Sequence, residues 1–216
     1  AYCGAVGFKP GLGALPMTGV TPLSPSYDMV GIIARSVVLA EAAFDAMGGA
    51  PDAAEDPVRH AGKIILDTAI PVDPERRAAL DAAAAVMGER LGGMASLPAL
   101  PDAERIVADH RLIMTAEAAK IHGHLLGEAT RPLLKPRFRE ALRSGLEIEP
   151  EARAAAAARL AEARADFWKH HEDMDVILTL PVPEGPPPMG GTTGFQHWLT
   201  VWTVLGGPLL CLPLGL

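Results

Sequence analysis

The sequence predicts an α/β fold, layered and built as one domain of 216 residues. Two short apolar runs bounded by polar residues, Lys63–Asp67 and Asp175–Thr179, read as strands, the second of them buried. Longer helical segments alternate with them, the pattern of helices laid on a sheet. Neither an internal repeat nor a boundary between two domains is visible, and the length suffices to bury one sizeable core.

The elements follow in order. Residues 1–35 are rich in Gly and Pro with short apolar runs such as Ala5–Phe8, which predicts short strands and tight turns. Ser36 is a predicted helix N-cap. Val37, Ala40, Phe44 and Met47 recur at helical spacing, Gly48 and Gly49 supply the stop, and the apolar face is expected on a sheet. Residues 50–62 are charged and contain Pro, hence a loop. Pro74 opens an Ala-rich, solvent-bordered helix that runs to Leu91, and residues 92–101 form a connection.

A further helix is expected from Asp102 to Glu128, with Ile106, Ile113, Ile121 and Leu125 on one face. Pro132–Glu149 is mixed, a turn and a short helix around Phe138–Leu142. Glu151–Glu172 is the clearest long helix, driven by the run Ala154–Ala158, and Leu160, Ala163, Phe167 and Trp168 give it an apolar stripe. Pro181–Pro188 is an extended loop. From Thr192 to Leu216 there is no Asp, Glu, Lys or Arg. A membrane span needs ~20 mostly apolar residues. Gly206, Gly207, Pro208 and Pro213 interrupt this one, so buried strands and turns are expected instead.

A net charge of −7 argues against a nucleic-acid partner, which would need a basic face. Cys3 and Cys211 make neither a disulfide framework nor a local zinc knuckle. Two buried thiols in a reducing, cytoplasmic compartment are expected.

The most specific signal is the opening Ala1-Tyr-Cys-Gly-Ala-Val-Gly-Phe-Lys-Pro10, followed by Ser26-Tyr-Asp-Met-Val-Gly31 and Arg35. As an ordered set it resembles the closing part of the amidase signature. Three later pieces, each weak alone, follow in the family's order. They are Glu117-Ala-Ala-x-x-His122, the helix and strand from Phe167 to Thr179, and Trp202–Pro213, similar to a strand-and-turn element bordering the substrate pocket.

The resemblance implies a layered α/β/α core with a central mixed sheet, incomplete here at both ends. It implies hydrolysis of a small carboxamide by a nucleophilic Ser, a second Ser on a cis peptide bond and a Lys, without a cofactor. A Ser hydroxyl needs a neighbouring base, and a neutral Lys can serve when its surroundings lower its pKa. Backbone N–H groups of a Gly-rich loop would stabilise the tetrahedral oxyanion. In the family all three triad residues precede the position matching Ala1, so none is assigned to this chain. Residues 1–216 are thus expected to be the C-terminal part of a single amidase domain. The isolated chain is expected to be inactive and poorly soluble or unstable, with unpaired sheet edges and exposed apolar faces.

Lys9 matches the Lys of Gly-x-Lys-Pro, a structural position, and Ser24 and Ser26 belong to the turn before Gly31. The resemblance makes His197, Trp202 and Phe195 candidates for the substrate pocket, with Met189 beside them. A Trp at the position of Trp202 is more often core. In the amidotransferases that act on glutamyl-tRNA, the position matching His197 is an Asp that holds the substrate's amino group, so His here implies another amide. Asp28 either orients groups below the active site or caps its turn.

His110, His122 and His124 do not make a metal site, since i and i+2 do not share a helix face and no Cys or carboxylate cluster completes one. His170 and His171 suit a helix C-terminus. The partner expected is a small-molecule amide, with neither nucleic acid nor membrane, and the resemblance allows a homodimer. Two other readings stand beside the amidohydrolase. One is a non-catalytic amidase-like scaffold; the other is the amidase-like component of a tRNA-dependent amidotransferase with an ammonia-supplying partner.

Overall fold

The computed structural model describes residues 3–49, 57–66, 71–100, 102–190 and 197–213. Within them the short apolar runs near the start form strands β1 (Val6–Lys9) and β2 (Ile32–Ala34). β1 pairs antiparallel with β2 on one side and with β6 (Leu209–Cys211) on the other, placing Phe8 between Ile32 and Leu210. Helix α1 (Val37–Ala46) starts as its sequence dictates: the Ser36 hydroxyl accepts from the Leu39 N–H. Its Ala40 is buried against Val6 and Ile32, and Phe44 meets Phe8 edge-on at 5.3 Å. The helix therefore lies on the sheet as expected.

A second sheet is parallel, in the order β4-β3-β5, from β3 (Ala61–Lys63), β4 (Ala95–Ser96) and β5 (Val176–Leu178). Parallel neighbours need a crossover. Helix α2 (Pro74–Leu91) supplies the first, capped by the Asp73 carboxylate on the Glu75 N–H and ended by Gly92 at φ 76. Helices α3 (Ala103–His122), α4 (Pro136–Leu146) and α5 (Pro150–His170) fill the return to β5. Helix α6 (His197–Leu205) then leads to β6.

The core joins Ile64, Ile113, Leu160, Phe167, Trp198 and Val201 beneath these helices. Each such side chain contributes about 1.5–3 kcal/mol on burial. Among the described residues, no helix is long and apolar enough to cross a membrane.

The layered α/β fold expected is the one found, with, among the described residues, one antiparallel and one parallel sheet. Several finer expectations are corrected. The strand predicted to start at Lys63 ends there. Ile64 and Leu66 are buried by packing, whereas the ladder uses Gly62, where an added Cβ would stand 2.5 Å from Leu97. The connection 92–101 hides β4, two residues too short to leave a pattern. β5 is half-buried rather than buried.

α3 stops at His122, and Gly123–Leu126 tightens into a 3-10 turn. α4 is longer than predicted, and its Gly145 approaches the Thr115 carbonyl of α3 more closely than a Cβ would permit. The segment read as strands and turns contains helix α6. Trp198, Val201, Trp202 and Leu205 fall at i, i+3, i+4 and i+7, and all are buried. A short apolar run does not by itself separate helix from strand. Cys3 is exposed and Cys211, at the sheet edge, is half-buried, so neither is the buried thiol expected.

Candidate functional site

The signature-like segment folds into a loop held by α3. Glu117 is an acid in an otherwise Ala-rich stretch, and its neighbours Ala118 and Ala119 are buried. Its carboxylate accepts from the Ser24 hydroxyl at 2.7 Å, the Ser26 hydroxyl at 2.5 Å and the Ser26 N–H at 3.2 Å. Arg153 of α5 stands 3.7 Å away. Burial alone would raise the Glu117 pKa. The hydrogen bonds from Ser26 and Ser24 and the Arg153 charge outweigh it, and the net shift is downward. A carboxylate whose pKa is lowered is a weaker base, which disfavours activation of Ser26 as a nucleophile.

Asp28 turns back into the same loop, where Oδ2 accepts from the N–H groups of Leu23 at 2.8 Å and Ser24 at 2.9 Å. Of its two expected roles, this geometry supports the turn cap. The Tyr27 ring lies 4.5 Å from the His110 ring. Burial lowers the His110 pKa. Burial also raises that of Tyr27, against the opposing Arg164 charge and with the help of Glu117 and Asp109. His122 Nε2 lies 2.7 Å from the Pro22 carbonyl, which ties the loop to the end of α3. His124 Nδ1 faces the Ile121 carbonyl.

The second region surrounds the C-terminal end of α6. Unpaired helix carbonyls need donors, and α5 provides them. Arg164 donates through Nε and Nη2 to the Val204 carbonyl at 2.8 and 2.6 Å, and Trp168 Nε1 donates to the Leu205 carbonyl at 2.8 Å. Gly206 turns the chain at φ 82. Lys9 Nζ then donates to the carbonyls of Gly207 at 2.8 Å and Pro10 at 3.1 Å, fastening β1 to this turn. Burial, and then the Arg164 charge, push the Lys9 pKa down. That direction suits a base, but the amine is committed to carbonyls, in keeping with the structural role expected.

Of the pocket candidates, His197 and Trp202 are not brought together. His197 is exposed at the start of α6, while Trp202, five residues on, is buried and packs edge-on against Phe167 at 5.9 Å. Five residues turn a helix by about 140°, so the two point to different sides. Trp202 Nε1 is buried without a hydrogen-bond partner among the described residues. Met189 is fully exposed. Phe195 lies outside the described residues. His170 and His171 close α5, each with Nδ1 2.7 Å from the carbonyl four residues back.

Arg164 and the Asp109–Arg159 pair do not stand out in the sequence, whereas Glu117 opens the motif Glu117-Ala-Ala-x-x-His122. That motif marks Glu117, but nothing local reveals a partner 91 residues away.

A family model described as Amidase matches residues 1–215. The chain is 30% identical over 198 residues to 2-amino-5-chloromuconic acid deaminase of Comamonas testosteroni, covering 85% of this chain and 41% of that protein. A 37-residue stretch is 54% identical to the indoleacetamide hydrolase of Allorhizobium ampelinum, covering 17% of this chain and 8% of that protein. A solved amidase structure superimposes with a TM-score of 0.81 at 24% identity, over 97% of this chain and 50% of that one, and shows the shared fold. The chain thus spans half or less of the length of these proteins.

Proposed function

The chain belongs to the amidase family, and from that premise we propose that it forms the C-terminal part of a cytoplasmic hydrolase that cleaves a small carboxamide to a carboxylate and ammonia or an amine. The support is the family match over residues 1–215 together with the similarity to a deaminase over most of the chain. Hydrolysis proceeds through a serine acyl-enzyme whose Ser, cis-Ser and Lys come from sequence outside residues 1–216. The hydroxyls of Ser24 and Ser26 serve Glu117, and the Lys9 amine serves the Pro10 and Gly207 carbonyls, so these groups frame the site rather than react.

In this reading the loop 22–28 and the α6–β6 turn are the scaffold under the reacting groups. His197, exposed at the start of α6, is the pocket residue that meets the amide's variable part. Trp202, on the core side of α6, serves by holding the helix against Phe167, and Phe195 is the remaining pocket candidate from the sequence. A homodimer is the assembly that the family resemblance allows.

The coding DNA upstream of Ala1 tests this reading. An open frame encoding a Lys and a Gly/Ser-rich stretch ending in Gly-Gly-Ser is expected. A fluorophosphonate probe on the full product should label that upstream Ser, and ammonia should be released from a panel of aliphatic, aryl and amino-acid amides. A label on Ser24 or Ser26, or a frame without those residues, would reject the mechanism.

A further inference from the structure

At the end of α5 remote from Arg153 and Glu117, a cavity of about 630 Å³ opens between α3 and α5 under the loop that precedes α3. None of the residues discussed for amide chemistry lines it. Its floor is apolar and buried, formed by Leu100, Ile106, Leu160 and Phe167. The helices run antiparallel here, so the lining from Arg159 to His170 makes a slot roughly 16 Å long at 1.5 Å per residue. Volume and lining both match small-molecule sites, which are concave, mostly apolar and carry a few polar groups.

The charges around the slot are unequal. Asp109, buried at one end, is neutralised by Arg159, which donates to both carboxylate oxygens at 2.6 and 2.7 Å, and Arg105 stands 3.6 Å from the same group. Asp102, Glu162 and Asp166 lie along the lips, and among the described residues no further Lys or Arg lines the slot. The nearby His170 and His171 each direct Nδ1 to a backbone carbonyl of α5. Four carboxylates thus face two guanidiniums, and the two guanidiniums gather on one of the four.

We infer that this slot is a binding site for an organic ammonium cation with an elongated apolar body. The apolar part lies on Leu100, Ile106, Leu160 and Phe167, and the ammonium group reaches Glu162 and Asp166 at the lip. Apolar burial supplies most of the affinity, and the lip carboxylates supply the choice of charge.

The test is titration of the full-length protein that carries this chain, by calorimetry and by NMR, with 4-phenylbutylammonium, 4-phenylbutanol and 4-phenylbutyrate. The ammonium compound should bind about tenfold more tightly than the alcohol, as expected for partly screened charges at a protein surface. The carboxylate should bind more weakly still. Glu162→Gln with Asp166→Asn, at the lip of the slot, should erase the preference for ammonium over alcohol. Ala163→Trp should fill the slot and abolish binding of all three. Equal affinity for ammonium and alcohol, preference for the carboxylate, or no binding at all would overturn the assignment. So would an unchanged preference in the lip double variant, which stands as a test even if Ala163→Trp fails to fold.

Discussion

The carboxylate of Glu117 accepts the hydroxyl of Ser26 across 91 residues of sequence, at 2.5 Å. The same carboxylate takes Ser24 and faces Arg153, so one side chain ties the loop 22–28 to both α3 and α5. Hydrogen bonds to a charged, largely buried group are worth about 1.5–3 kcal/mol. Glu117→Ala should therefore cost about 2–3 kcal/mol in urea unfolding, because it leaves two serine hydroxyls without their acceptor. The Glu117 pKa is lower folded than unfolded. Its contribution is then full above the unfolded value of about 4.3 and is lost as pH falls through the folded one. Parent and variant stabilities should converge in acid. A gap that stays constant from neutral to acid pH would show that the ionised carboxylate is not the source.

Legibility from the sequence follows how local each feature is. α1 and α2 are readable to within a residue because Ser36, Pro74 and the glycines after each helix act within one turn of the chain. β4 is invisible at two residues, and α6 reads as strand because a short run dense in apolar side chains suits either a helix or a buried strand. The loop 22–28 is recognisable by its motif, and a turn role for Asp28 is among the readings its sequence allows. The loop's real anchor, Glu117, depends on tertiary geometry that no spacing encodes. Lys9 is legible as structural, but its partner at Gly207 emerges only once β1 meets the α6–β6 turn.

That turn yields a paired test. Gly206 and Gly48 have nearly the same backbone, φ 82 and φ 85. A left-handed conformation costs a non-Gly residue roughly 1–2 kcal/mol. A Cβ at Gly48 meets nothing within 4 Å, whereas at Gly206 it would lie 3.0 Å from Arg164 Cζ and displace the guanidinium that caps Val204. Gly48→Ala should cost about 1 kcal/mol and Gly206→Ala about 3 kcal/mol, the difference being the lost charge-assisted bonds. Equal losses in thermal or urea unfolding would mean that Arg164 does not hold α6.

His110 sets a different pH dependence. Burial beside Tyr27 lowers its pKa below the ordinary value, so between the folded pKa and about 6.5 the unfolded chain holds more protons. Stability must then rise with pH through that window and fall as it is acidified. His110→Gln, which cannot titrate, should flatten this part of the stability profile. An unchanged slope in the variant would assign the acid sensitivity to another group.

The exposed edge of the antiparallel sheet predicts how the chain behaves alone. β2 is the edge strand in the order β2-β1-β6, and its Ile33 is 83% exposed. Val38, a few residues on in α1, is 71% exposed. An edge strand with an apolar outer face offers unpaired backbone groups and hydrophobic surface to another copy. The 216-residue chain should therefore self-associate with rising concentration in light scattering. Ile33→Lys with Val38→Lys should shift it towards monomer with its far-UV circular dichroism intact, since neither side chain is in the core. Ile32→Lys is the control: that neighbour is buried against Ala40, and a charge there should unfold the sheet rather than solubilise it. Self-association that persists in the double variant would place the contact elsewhere, and a parent chain that stays monomeric would remove this edge as an interaction surface.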